Sequence, residues 1–227
     1  LFMGNKSFDD GGALIISNLG NRGRIANSTF VANSADDGAF LAYDNKFAPT
    51  LELENLIVWD NVGSGPDGII DFDTGKLTIA NSLVQGSNGS GPSWNTEYGT
   101  DLGGNIDTGP GFLQSPVGIA PNVSGNFRLS LGSPAIDVGL NSAVNLATDN
   151  DGNPRIFNGT VDMGAYETQV VCPAAGTTRL YVNDTASGTG ASWADALPSL
   201  QDALTLAQRC PSNSIDEIWV AQGTYYP

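Results

Sequence analysis

Short apolar runs, separated by polar bends, recur along the first hundred residues at a nearly constant interval. Ile25-Ala-Asn27-Ser-Thr-Phe30-Val-Ala-Asn33 aligns with Leu53-Glu-Asn55-Leu-Ile-Val58-Trp-Asp-Asn61, and again with Ile79-Ala-Asn81-Ser-Leu-Val84-Gln-Gly-Ser87. The steps are 28 and then 26 residues, and Phe2-Met-Gly-Asn5 reads as the tail of an earlier copy. A polar bend follows each copy, and then Gly and an apolar run: Asp10-Gly11-Gly12-Ala13-Leu14-Ile15-Ile16, Asp37-Gly38-Ala39-Phe40-Leu41 and Asp67-Gly68-Ile69-Ile70. Each copy therefore predicts two or three strands of roughly four to six residues, bounded by Asn/Asp/Gly/Ser bends. No helix-period pattern lies between the copies, which argues against βαβ packing. The signatures of leucine-rich repeats and propeller blades are missing as well. The pattern predicts an all-β chain built as a parallel β-helix, a solenoid in which each copy is one coil. Its coils stack about 4.8 Å apart through parallel ladders.

The recurring asparagines have a physical reason in such a fold. At a coil corner Asn adopts the left-handed conformation cheaply. Stacked above its counterpart, its amide joins a ladder. The spacing predicts one row through Asn27, Asn55 and Asn81 and another through Asn5, Asn33 and Asn61. A sugar-binding row is the functional alternative.

From about Ser115 the pattern changes to loop-rich sequence, read as the closing end of the coils over 116–168. It contains Ser133-Pro-Ala-Ile-Asp137, then Asp149-Asn-Asp-Gly-Asn-Pro-Arg155, and ends at Val161-Asp-Met-Gly-Ala-Tyr-Glu167. These three motifs, in this order, resemble the C-terminal part of bacterial surface right-handed β-helix proteins, the choice-of-anchor Q domain. The coils over 1–115 resemble, more loosely, the repeats of polymorphic outer-membrane and autotransporter-like adhesins. The resemblance implies an extracellular right-handed β-helix without established catalysis.

Residues 169–178 read as a linker. Beyond it, 179–227 predicts a strand at Arg179–Val182, a short amphipathic helix over about Pro198 to Arg209, and a strand over Ile215 to Ala221. Leu200, Ala203, Leu204 and Ala207 give that helix one apolar face. Trp193 and Trp219 are expected to pack under it. This segment resembles the opening of the same kind of β-helix, with the helix as its N-terminal cap. The tail of one unit thus precedes the head of another, which implies a tandem array that stacks on itself or on neighbouring units end to end. The chain starts at Leu1 and stops just after an apolar strand-like run, so it reads as a piece of something longer or a processed product.

Composition removes several functions. The chain has 227 residues, Lys+Arg 9 against Asp+Glu 24, a net charge of −15 and no His. Such a chain is a poor partner for nucleic acid or an anionic membrane. Without His there is no Ser-His-Asp triad, Cys-His pair or His-based metal site. No apolar run of about 18 residues exists to span a bilayer.

The candidate chemistry is sparse. Asp149, Asp151 and Asn153 place oxygens at alternate positions around Gly152, which suits Ca²⁺, although the terminal bidentate Glu of a full EF-hand loop is missing. The structural alternative has Asp149 and Asp151 capping turns and pairing with Arg155. Cys172 and Cys210 fit one disulfide in an oxidising compartment. Trp59 faces opposite to its apolar neighbours and is a possible glycan contact. Asp71 and Asp73 share a strand face, but a turn follows and no motif marks an acid. The reading is therefore a non-catalytic adhesin stalk or filament outside the cell. A carbohydrate-binding module is the alternative, and a polysaccharide lyase or hydrolase ranks behind both.

Overall fold

The computed structural model describes residues 1–17, 22–44, 50–65, 68–72, 76–169, 173–174, 176–210 and 215–225. It divides into two compact units, Leu1–Thr168 and Gln169–Pro227. Its regular structure is mostly strand, nearly all of it paired in parallel, with one α-helix among the described residues.

Three parallel sheets, with a smaller parallel pair of Ser34–Ala35 and Val62–Gly63, make up the first part of unit one, and each takes one short strand from successive repeats. The first sheet joins Phe2–Met3, Thr29–Val31, Ile57–Trp59 and Leu83–Val84, with Phe2 beside Phe30, Phe30 beside Val58 and Val58 beside Val84. The second joins Leu14–Ser17, Leu41–Asp44 and Ile70–Phe72. The third joins Gly23–Ala26, Leu51–Glu54, Leu77–Ala80 and Thr100–Asp101. Matched positions in the first and third sheets fall 28 and then 26 residues apart, the interval of the sequence repeat.

The sheets differ in how their strands read, and burial explains why. The third sheet alternates: Leu51, Leu53, Leu77 and Ile79 are buried, while Glu52 and Glu54 point outward. There Arg24 Nε bonds Glu54 Oε2 at 2.5 Å, and Arg22 pairs with Glu52. The strands of the first sheet are apolar almost throughout because both faces are covered. Phe30, Val58 and Val84 join the interior cluster with Phe40, Leu53, Leu77 and Ile79. On the outer face, Ile57 and Leu83 pack with Leu129, Ala135, Ile136 and Met163, and Val31 packs with Phe127, Ala165 and Tyr166.

That outer cover is residues 112–168, which run across the side of the repeats rather than over their end. The cover starts as an antiparallel hairpin, Phe112–Ile119 with Asn122–Leu129. The sequence reading treats this stretch as loop. Pro116, Gly118 and Gly125 interrupt its apolar alternation, and one of the pairing's two register shifts falls between Gln114 and Val117, where Pro116 and Gly125 lie. Beyond the last repeat, a loop with a 3₁₀ turn at Thr96–Tyr98 lays Trp94 and Tyr98 against the interior cluster. Tyr98 donates to Gln85 O (2.8 Å) and Trp94 Nε1 to Gly99 O (2.8 Å).

Unit two pairs Arg179–Val182 in parallel with Glu217–Val220, beside the helix Leu200–Arg209. The helix starts two residues later than its sequence suggests, because Ser199 Oγ caps it by accepting from the N–H groups of Gln201 and Asp202. Its buried stripe is also rotated. Ala203, Leu206 and Cys210 are buried, whereas Leu204 is 41% exposed.

Candidate functional site

The polar groups that the sequence singles out fall mainly along one corner of unit one and in the segment docked against it. Asn27, Asn55 and Asn81 all hold left-handed backbone, with φ of 51, 54 and 44°. Asn55 Nδ2 donates to Asn27 Oδ1 (2.9 Å). The remaining amide capacity serves a passing strap. Asn27 Nδ2 donates to Ala143 O (3.0 Å), Asn55 Nδ2 to Leu140 O (3.0 Å) and Asn81 Nδ2 to Val138 O (3.2 Å). Asn55 Oδ1 accepts from Leu140 N–H (2.7 Å). The row is thus a rail that residues 138–143 follow. The second row runs from exposed Asn5 to buried Asn33 and Asn61: Asn5 Nδ2 donates to Asn33 Oδ1 and Asn33 Nδ2 to Asn61 Oδ1, both at 2.8 Å. Asn33 and Asn61 also donate to Phe2 O and Phe30 O, which holds consecutive repeats together.

The closing motifs converge on a buried charged cluster. Arg155 is 3% exposed, Asp162 0% and Glu167 4%. Arg155 Nη2 donates to Gly164 O (2.6 Å), Asp162 O (3.1 Å) and Asn27 Oδ1 (3.4 Å), and Nη1 meets Glu167 Oε2 at 3.4 Å. Glu167 accepts from the N–H groups of Phe157 (2.9 Å) and Asp162 (3.0 Å). Asp162 accepts from those of Asp137 (2.8 Å) and Thr168 (2.7 Å). Burial pushes the Glu167 carboxyl up to about 7, against the pull of its backbone donor at Asp162 and of Arg155. Burial pushes Asp162 up as well, and lowers Arg155. The arrangement fastens three loop segments to one another, and Arg155 also lines, with Asn27 and Asp149, a cleft of about 250 Å³.

The Asp149 loop is occupied in the same way. Asp149 Oδ1 accepts from Asp151 N–H (2.9 Å) and Asn153 N–H (2.8 Å), and Oδ2 from Glu167 N–H (2.9 Å). Asp151 pairs through both oxygens with Arg128, at 2.5 and 2.6 Å, and not with Arg155. Among the described residues no group of three or more acidic, His or Cys side chains is placed to hold a metal ion. In this arrangement the carboxylates of Asp149 and Asp151 face backbone N–H groups and the Arg128 guanidinium.

Trp59 is half-buried and packs with Trp59's own strand against Leu83, Leu129 and Met163 under the closing segment. Its outward position does not make it a free platform, because another layer covers that face. Asp71 is half-buried in the second sheet, opposite Ala42. Asp73 and Cys172 lie outside the described residues. Cys210 is fully buried at the C-terminal end of the helix. A cleft of about 480 Å³ opens in unit one, lined by Asp60, Val62, Gln85, Tyr98 and Pro116 among others. Asp60 is the one carboxylate among its described lining residues.

The chain matches no known protein-family model, and no curated protein or solved structure matches it.

Proposed function

We propose that the chain is a non-catalytic, architectural segment of a secreted or cell-surface repeat protein. In this reading unit one is a right-handed parallel β-helix, closed by a choice-of-anchor Q-like segment, and unit two is the head of a following β-helix. One observation carries the proposal. Three parallel sheets each draw one strand from successive repeats, and in the first and third the steps are those of the sequence period. The polar clusters support it too, since the Asn rows, Arg155, Asp162, Glu167 and Asp149 are committed to holding backbone together.

The function follows from edges. Phe2–Met3, Leu14–Ser17 and Gly23–Ala26 are each the terminal strand of their sheet, and the inward residues Phe2, Leu14, Ile16 and Ile25 are only partly buried. In unit two, the only described neighbour of Glu217–Val220 is Arg179–Val182. Unpaired strand edges are templates for further pairing. Units stack end to end through such edges, giving a stalk or filament outside the cell, with Cys172 and Cys210 joined in a disulfide. Sedimentation velocity of the native chain over a hundredfold concentration range tests this. An open series of oligomers that grows with concentration is expected, because a head-to-tail contact does not close on itself. A monomer at every concentration, or a single closed dimer, contradicts it.

A further inference from the structure

Unit two presents an aromatic face that end-to-end stacking does not use. Tyr181 and Trp219 are cross-strand partners in its parallel pair. Side chains alternate across a strand, so both project away from the face of Leu180 and Val182, which are fully buried. Trp193, from the 3₁₀ turn Trp193–Asp195, extends the row. Its ring lies 4.9 Å from that of Tyr181, and Tyr181 lies 5.9 Å from Trp219, both edge-to-face. Trp193 is 45% and Trp219 43% exposed, so neither packs under the helix as the sequence suggests.

The row is held in place by an ion pair that overlies Trp219. The Arg179 guanidinium covers one face of the Trp219 ring, 3.8 Å from its centre, so the opposite face is the one left for a ligand. Trp219 Nε1 donates to Glu217 Oε2 (2.9 Å), and Glu217 also pairs with Arg179 (2.6 Å). The side-chain entropy that normally opposes stacking on a surface indole has therefore been spent on folding. The two charges cancel locally, in a chain whose net charge is −15.

We propose that Trp193, Tyr181 and Trp219 form a binding platform for a neutral carbohydrate chain, with Arg179 and Glu217 as flanking hydrogen-bond donor and acceptor. A sugar ring offers an apolar C–H face to an aromatic ring and hydroxyls to fixed polar groups at its edge, and this face supplies both. A polyuronate is disfavoured by the net charge. A protein partner is disfavoured by size. The three rings expose on the order of 250 Å² together, against about 800 Å² per partner in a standard interface. The proposal stands on unit two alone and does not depend on stacking of units.

Affinity electrophoresis of the full chain tests it. The gels contain hydroxyethylcellulose, galactomannan or arabinoxylan as neutral probes, or polygalacturonate as the anionic one. Retardation by at least one neutral polymer and not by polygalacturonate is expected. Trp219→Ala and Trp193→Ala should each weaken the apparent affinity at least tenfold, and Trp219→Phe should stay within about threefold of the parent. Circular dichroism of each variant separates lost binding from lost folding. Quenching of tryptophan fluorescence by the retarding polymer in the unaltered chain gives a second readout that needs no variant. Unchanged migration in all neutral gels overturns the proposal. So does retardation that survives both alanine variants, or equal retardation by polygalacturonate.

Discussion

Asn55 shows how much one residue carries here. It is fully buried, holds left-handed backbone, and exchanges a pair of hydrogen bonds with the backbone of Leu140. Asn55→Ala loses the low-cost left-handed conformation, about 1–2 kcal/mol, and strands the Leu140 N–H, about 1–3 kcal/mol. We expect a destabilisation of about 2–4 kcal/mol in chemical denaturation, with Asn55→Gly recovering the backbone part only. Gly164 is the converse case. Its φ is +93°, and a Cβ there would lie 2.7 Å from Ile57 and Thr29, so Gly164→Ala should unseat the closing segment. Protease sensitivity confined to residues 138–168 would report it. The 28- and 26-residue spacing made the Asn row legible in the sequence, because a repeated corner demands a repeated residue. The strap partner was not legible. Leu140 lies 85 residues from Asn55, and no local pattern links the two.

Glu167 adds a pH dependence at the same scale. Its carboxyl is raised from 4.5 to about 7, chiefly by burial, so the folded state favours the protonated form. A raised acid stabilises fully below its unfolded value and loses that contribution as pH rises through the folded one. Unit one should therefore become less resistant to denaturant between about pH 5 and pH 8, and Glu167→Gln should flatten that slope. An unchanged slope in the variant would place the titration elsewhere.

At the scale of elements, the parallel pairing followed from hydrophobic pattern, since the bends repeat at a fixed interval and one face of each strand must be buried. What the pattern hid was the second layer. Thr29–Val31 and Ile57–Trp59 are covered on both sides, so Trp59 reads as an outward residue in sequence and is packed in the fold. The hairpin at 112–129 escaped because prolines and glycines fall inside its strands. The helix face was misplaced by leaving Cys210 out of the apolar set. Arg155 is the element-scale fastener, reaching from its own loop to Gly164, Asp162, Glu167 and Asn27. Arg155→Ala leaves a buried acid and two carbonyls without their partner, and should cost about 3–5 kcal/mol in the denaturation of unit one. The proposed disulfide is checked in denaturant. No thiol should react before reduction and two should react afterwards.

For the whole molecule, the two units meet different demands. In unit one the two Asn rows and the segment 112–168 hold and cover the repeats along one side. In unit two a two-stranded sheet and one helix leave a strand edge and an aromatic face exposed. A two-stranded pair is marginal alone, which favours further pairing. The residues of the segment 133–167 that the sequence singles out act as fasteners: Asp162, Gly164 and Glu167 are needed where they stand because of Asp137, Thr29, Ile57 and Arg155.

Negative-stain electron microscopy of the native chain at high concentration tests the architectural claim most directly. The account predicts rods or filaments of uniform width whose length increases with concentration. Small, monodisperse particles at every concentration would contradict it, and would leave the carbohydrate platform of unit two as the function to pursue.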